Sequence, residues 1–333
     1  MSVLSVRHVT TYRYRQPVAF GEHRVMFRPR DSYDQRLIEA SIAITPEPAS
    51  LHWVHDVFGN CVAVARFADR AKELRFECRI RLDHTPVNAL EFQLEDHACW
   101  YPFTYSAEDM RDLSSSVERQ YVDPNREIDG WVRRFLNESG RTDTQDLLAT
   151  ITQAIRREFT YVARSEKGVQ DPLTTLKLKR GSCRDFSVFM MEVVRSLGLA
   201  ARFVSGYLHS PSRGGPGHVG GGATHAWIQV YLPGAGWVEY DPTNGILGSR
   251  DLIRVAVARD PRQAIPLHGT WMGLPGDDLG ITVEVSVASQ EGSVDPAPGE
   301  DGPLGQQSPA TDAPDRIPAS TDGTPYQPLT RTS

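Results

Sequence analysis

The residues best placed to do chemistry in this chain are a cysteine, a histidine and an aspartate, met in that order. They lie in Gly181-Ser182-Cys183-Arg184-Asp185-Phe186-Ser187, in Thr224-His225-Ala226-Trp227 and in Glu239-Tyr240-Asp241-Pro242-Thr243-Asn244-Gly245. Cys183 opens an apolar helical stretch. A thiol there sees the positive end of the helix dipole and free backbone N–H groups, both of which favour thiolate over thiol. Ser182 followed three residues later by Asp185 fits a capping box, so Asp185 reads as the cap of that helix and not as a catalytic group. Residue type alone would make Cys183 a small buried hydrophobe. Its neighbours Gly181, Ser182, Arg184 and Asp185 read instead as an exposed loop-to-helix junction.

His225 opens a strand after the segment Gly214-Gly215-Pro216-Gly217-His218-Val219-Gly220-Gly221-Gly222. Alternation puts His225, Trp227 and Gln229 on one strand face, and after the turn Pro233-Gly234-Ala235-Gly236 it puts Trp237, Glu239 and Asp241 on one face of the returning strand. Such a hairpin brings Asp241 alongside His225. The carboxylate would hold the imidazole in one tautomer and leave the other ring nitrogen to take the Cys183 proton. A histidine at a strand start, taken alone, reads as structural; the order Cys, His, Asp reads as a nucleophile, its base and the group that orients the base. Zinc held by Cys183, His225 and Asp241 would need a short-range ligand pair that the spacing lacks, so no metal and no cofactor are expected. The glycine segment leads into a strand and lacks a Lys-Ser/Thr ending, which excludes a phosphate cradle and leaves a flexible loop over the site. Trp227, Trp237 and Tyr240 read as core, with Trp227 alternatively walling a substrate channel.

The elements that must position these groups form an α+β part. Residues 131–136, 144–159 and 187–197 have helical spacing, the last closed by Gly198 at a cap position; strands follow at 201–208, 226–232 and 237–240, with a last one at 281–287. Before them, Ser2 to about Thr85 alternates in short stretches broken by turn residues, as an antiparallel β-sandwich-like domain would. The expected organisation is an N-terminal β domain over 1–85, a catalytic core over 86–289 and a disordered tail over 290–333, rich in Pro, Gly, Ser and Thr and too poor in apolar residues to offset the entropy of ordering. No internal repeat is evident.

A chain of 333 residues accommodates two domains and a tail. Its formal net charge of -6 argues against nucleic acid and anionic membrane as partners. The N-terminal residues lack a long apolar core with a small-residue cleavage site, and no apolar run approaches the roughly 20 residues that span a bilayer, so a cytoplasmic location is expected. Four cysteines without a CxxC pair suggest neither a disulfide framework nor a zinc knuckle, and Cys61, Cys78 and Cys99 read as ordinary buried thiols.

The three motifs around Cys183, His225 and Asp241 closely resemble the core motifs of bacterial transglutaminase-like proteins. That resemblance implies a papain/transglutaminase-like core with the nucleophile at a helix N-terminus packed on an antiparallel sheet, and a catalytic triad of Cys183, His225 and Asp241. Val204-Ser205-Gly206-Tyr207 and the stretch from Ala258-Arg259-Asp260-Pro261 to Val287 also resemble family segments. Residues 2–85 resemble the β domain that often precedes this core, through His8, Thr11, Tyr12, Tyr14, Arg28-Pro29-Arg30, Gln35 and Asp56-Val57-Phe58-Gly59-Asn60. Thr224 stands where the family often has Ser. The implied chemistry is attack of thiolate on a carboxamide or peptide carbonyl, giving a thioester resolved by water or by a primary amine. Hydrolysis is the more expected outcome, since the sequence shows no amine pocket. The implied partner is a peptide or protein substrate carrying an amide or glutamine carboxamide. The backbone N–H of Cys183 is the expected oxyanion donor, with Tyr161 and Gln170 as candidates for a second. The rival reading is a catalytically silent peptide- or protein-binding module. The sequence leaves the oligomeric state open.

Overall fold

Two large antiparallel sheets, two two-stranded ladders and a layer of helices make up the computed structural model, which describes residues 2–85, 92–138, 140–163, 168–209 and 222–290. The tail beyond Gln290 and nearly all of the glycine segment lie outside the described residues.

The first sheet is built around one long strand, β1 (Ser2–Val25). β2 (Gln35–Thr45), β3 (Ser50–His55), β4 (Cys61–Arg66) and β5 (Arg70–His84) follow it, and the sheet runs in the order β2-β5-β1-β4-β3. The sequence pattern weakens after Tyr14 because Pro17 lacks an N–H; β1 continues through it by a register shift between Arg13 and Val18, the kind of irregularity where a strand tolerates proline. Alternate residues of these strands, among them Leu4, Val6, Leu74, Phe76, Ile80 and Leu82, turn inward and form one apolar cluster with Phe20, Val25 and Ala63 from the other half of the sheet.

The core begins with β6 (Trp100–Tyr101), α1 (Ala107–Val117), α2 (Glu127–Arg133), β7 (Thr142–Asp143), α3 (Thr144–Glu158), β8 (Thr160–Tyr161), α4 (Pro172–Leu178) and β9 (Arg180–Gly181). α5 (Cys183–Ser196) then leads into β10 (Ala201–Leu208), β11 (His225–Leu232), β12 (Gly236–Asp241), β13 (Ile246–Leu247) and β14 (Leu252–Ala258). The five strands after α5 form an antiparallel sheet in the order β13-β12-β11-β10-β14. α5 is buried on nearly every side: Phe186, Phe189, Met190, Val193 and Val194 lie in one apolar cluster with Ala226, Ile228 and Val230 of β11 and Leu147, Leu148 and Ile151 of α3. Fully burying each of the larger of these side chains contributes about 1.5–3 kcal/mol. Gly198, at φ +78°, ends the helix in the left-handed region where the sequence put a cap.

The end of the chain departs from the sequence reading. Residues 281–287 were expected to close the core; they belong to β16 (Asp278–Gln290), which pairs with β1 from Val3–Gln290 to Tyr14–Asp278. β15 (Leu267–Met272) also pairs with β1, through Ala19–Met272 to Val25–Leu267. The chain therefore leaves the first sheet, builds the core and returns, because β5 covers only one edge of β1 and its other edge would otherwise be left without hydrogen-bond partners.

Candidate active site

Cys183 is the first residue of α5. The start of that helix is fixed by Asp185, whose Oδ2 accepts the Ser182 N–H at 2.8 Å and the Ser182 hydroxyl at 2.9 Å, while its Oδ1 accepts the Gln170 N–H at 2.6 Å. The capping role read for Asp185 is what these bonds describe. The exposed junction is not: Gly181, Ser182 and Asp185 are buried and Cys183 is only 8% exposed. β8 runs parallel to β9, pairing Tyr161 with Gly181, and this covers the segment. Tyr161 is thereby set beside the thiol. Burial raises its phenol above the ordinary value, the neighbouring Cys183 adds to the rise, and Arg184 opposes it. Gln170, the other candidate donor, is already committed, because its Nε2 donates to Thr175 Oγ1 and to the Arg180 carbonyl, each at 3.0 Å.

The hairpin of β11 and β12 places the other two residues. Gln229 lies opposite Glu239 and Ile228 opposite Tyr240, so Asp241 falls on the His225 face and diagonal to it. His225 Nε2 and Asp241 Oδ2 are 2.8 Å apart, with the residues 1% and 0% exposed. Among the described residues the Cys183 thiol is the group that acts on the other side of the ring, where Nδ1 has no further partner. Burial alone would pull the imidazole below its ordinary value of 6.5; the charge and hydrogen bond of Asp241, and then Cys183, more than offset this and raise it to about 10. For Asp241 burial pushes the carboxyl up, yet the charge and hydrogen bond of His225, with hydrogen bonds from Asn244 and the Thr243 N–H, hold it below its ordinary value of 3.8.

Asn244 is a part of the site that the sequence reading passed over. Its Nδ2 donates to Asp241 Oδ2 at 2.9 Å and stands 3.3 Å from His225 Nε2. The turn Asp241-Pro242-Thr243-Asn244-Gly245 also satisfies Asp241 Oδ1 with the Thr243 N–H at 2.8 Å. α3 grips it from outside, Gln153 Nε2 donating to the Gly245 carbonyl and Arg156 Nη1 to the Thr243 carbonyl, each at 2.8 Å. An Asn three residues after an Asp, followed by Gly, is a turn signal that marks this arrangement in hindsight.

Trp227 is fully buried, stacked on His225 at 5.9 Å between ring centroids, and packed with Val204, Leu208 and Leu252. It fills the core and does not line a channel. Gly206, opposite His225 in the β10–β11 ladder, lets strands and indole come this close; a Cβ there would lie 2.0 Å from the Ile253 carbonyl oxygen and 2.6 Å from Trp227 Cη2.

With this geometry in place, likeness to known proteins is informative. Residues 4–83 match the bacterial transglutaminase-like N-terminal region, and residues 133–242 match the transglutaminase-like superfamily. This chain belongs to the transglutaminase-like superfamily. An uncharacterized protein of Mycobacterium leprae is 25% identical over 293 residues, spanning 85% of this chain and 98% of that protein. A protein-glutamine gamma-glutamyltransferase of Pseudomonas aeruginosa is 30% identical over 118 residues, which are 32% of this chain and 17% of the relative. Among solved structures, a proposed cysteine protease from Cytophaga hutchinsonii superposes with a TM-score of 0.62 at 16% identity, covering 87% of this chain and 91% of that one. That likeness is one of fold. Both layers of this transglutaminase-like chain, the N-terminal sheet and the core, are thus shared with relatives.

Proposed function

We propose that this protein is a cysteine acyl-transfer enzyme acting on the carboxamide or peptide bonds of peptides or proteins. The superfamily typically consists of cysteine enzymes that act on such substrates. The observation that carries the reading is His225, a buried imidazole bonded to Asp241 through Nε2 at 2.8 Å, with Cys183 interacting with the ring and no other partner for Nδ1 among the described residues. Its raised proton affinity favours transfer of the thiol proton to the ring, giving a thiolate and imidazolium pair. The thiolate sulfur bonds to the carbonyl carbon, the C–N bond breaks, and the imidazolium gives its proton to the leaving ammonia or amine. A thioester on Cys183 remains. Water or a primary amine then attacks it while His225 takes the proton, and the thiol is released. As the first residue of α5, Cys183 has an N–H without an intrahelical acceptor, which supplies one donor to the developing oxyanion. Tyr161 is the neighbouring group we assign as the second.

Water is the acceptor we favour. A cytoplasmic location belongs to the same proposal. Intact-mass analysis with carboxamide and peptide libraries, with and without primary amines, tests it. Transient acylation on Cys183 followed by a free acid or a new amide is the expected result. Substrate capture with no change of mass would leave a binding module in place of an enzyme.

A further inference from the structure

The first-sheet motifs Arg28-Pro29-Arg30, Gln35 and Asp56 to Asn60 take no part in the chemistry above, yet they converge on one place. A cavity of about 210 Å³ opens where the first sheet meets β14, lined by Arg30, Gln35 and Asn60 on one side and Arg202 and Arg254 on the other. It is smaller than the roughly 300 Å³ at which pockets for whole small molecules begin, and suits a single chemical group.

Charges in the wall are unevenly matched. Arg254 donates to Asp34 Oδ1 and Ser32 Oγ, each at 2.9 Å, and pairs with Glu239, which also accepts from Gln229 Nε2 at 2.9 Å. Those two carboxylates are therefore served. Asp31, also in the wall, has an oxygen that accepts the Leu37 N–H. Among the described residues Arg202 has no carboxylate partner: its Nε donates to the neutral Gln229 Oε1 at 2.7 Å, its guanidinium lies 4.0 Å from the centre of the Trp237 ring, and neither terminal nitrogen has a hydrogen bond there. Burial, then Arg254, then Arg30 depress its pKa to about 9, with Glu239 opposing. Arg30 has one long hydrogen bond, 3.5 Å to the Phe58 carbonyl. Its guanidinium fills the space a side chain at residue 59 would take, for a Cβ on Gly59 would lie 2.4 Å from Arg30 Nη1, and Gly59 sits at φ +74°. The turn thus both requires glycine and admits the guanidinium.

We propose that Arg30 and Arg202, backed by Arg254, form a binding site for one oxyanion group, a carboxylate or a phosphate, separate from the Cys183 site. Two guanidinium forks, one bonded to protein only through Nε and the other only by the long contact to the Phe58 carbonyl, present the geometry that carboxylate and phosphate oxygens match in pairs. Trp237 holds one fork from behind, and the Gly59 turn holds the other. An anion seated between them offsets the repulsion among three guanidinium groups.

The test is calorimetric titration of the full-length protein with inorganic phosphate and, separately, with acetate, against chloride at matched ionic strength. Saturable one-to-one binding of either anion is expected, the tighter one identifying the group, with affinity reduced about tenfold or more in Arg30→Gln. Arg202→Lys, which keeps the charge and loses the fork, should weaken binding as well. Alkylation of Cys183 should be unchanged in Arg30→Gln. Absence of saturable binding by both anions, or binding to Arg30→Gln as tight as to the unaltered chain, would overturn the proposal.

Discussion

His225 and Asp241 shift in opposite directions, and that fixes how stability should follow pH. The raised imidazole contributes stability that is fully present below about pH 6.5 and is lost as pH rises through about 10. The lowered carboxyl contributes stability that is present above about pH 3.8 and is lost as pH falls further. The difference in melting temperature between the unaltered chain and Asp241→Asn should therefore be widest between about pH 4 and 6.5 and close toward pH 10. A gap constant across that range would contradict the buried ion pair. Asn244 acts through Asp241, so Asn244→Ala should slow alkylation of Cys183 less than His225→Ala does while costing about 1–3 kcal/mol for the buried carboxylate oxygen it leaves short of a donor. Equal alkylation in Asn244→Ala and the unaltered chain would confine the residue to packing. That Cys183, His225 and Asp241 meet in one place was legible in the sequence because each position rests on a local signal: a capping box before Cys183, a strand period through His225, and the same period returning through Asp241. The burial of Cys183 was not legible, since it depends on β8, a two-residue strand without a pattern of its own.

Between elements, the first sheet serves the core by closing an edge. β14 is the outer strand of the core sheet, and two side-chain amides stand in for the neighbour it lacks. Gln35 Nε2 donates to the Arg254 carbonyl at 2.7 Å while its Oε1 accepts the Arg254 N–H at 3.0 Å. Asn60 does the same for Val257, Nδ2 to carbonyl at 2.7 Å and N–H to Oδ1 at 2.9 Å. Each amide thus mimics one rung of a β ladder. Asn60→Ala should speed hydrogen exchange at the Val257 amide and cost about 1–3 kcal/mol; unaltered protection would mean that water replaces the amide without loss. Gly206→Ala is a harsher test, because the added methyl meets both the β14 backbone and Trp227. It should cost at least the roughly 1–3 kcal/mol of an overpacked core and disturb the strand that faces His225. A melting temperature equal to that of the unaltered chain would show that β10 has more room than its contacts indicate. These pairings join residues some 200 positions apart, so Gln35 and Asn60 were recognisable in the sequence as family residues while their partners were not.

For the molecule as a whole, the path of the chain matters more than a division into successive domains. β1 pairs with β16 along nearly its first half and with β15 near its end, so the first sheet is finished only by residues that follow the core. Strand pairing between Val3 and Gln290 leaves no trace in local composition, which is why the last strand was assigned to the core. A chain ending at Gln290 should melt and react as the full chain does, whereas one ending before Leu267 should lose the fold, with the inner edge of β1 open. Equal melting of the two would refute the return of the chain.

Cys183 is proposed to be a nucleophile activated by His225. Exposure and activation predict opposite orders of reactivity here: Cys183 is 8% exposed, Cys61 and Cys99 are more open, and Cys78 is buried with its thiol pushed up to about 12. Iodoacetamide labelling at about pH 6, read by peptide mapping in the unaltered chain and in His225→Ala, separates the two. Cys183 should be alkylated about tenfold or more faster than Cys61 and Cys99, and this advantage should disappear in His225→Ala. Labelling that follows exposure, with Cys61 and Cys99 ahead of Cys183 in both proteins, would contradict it.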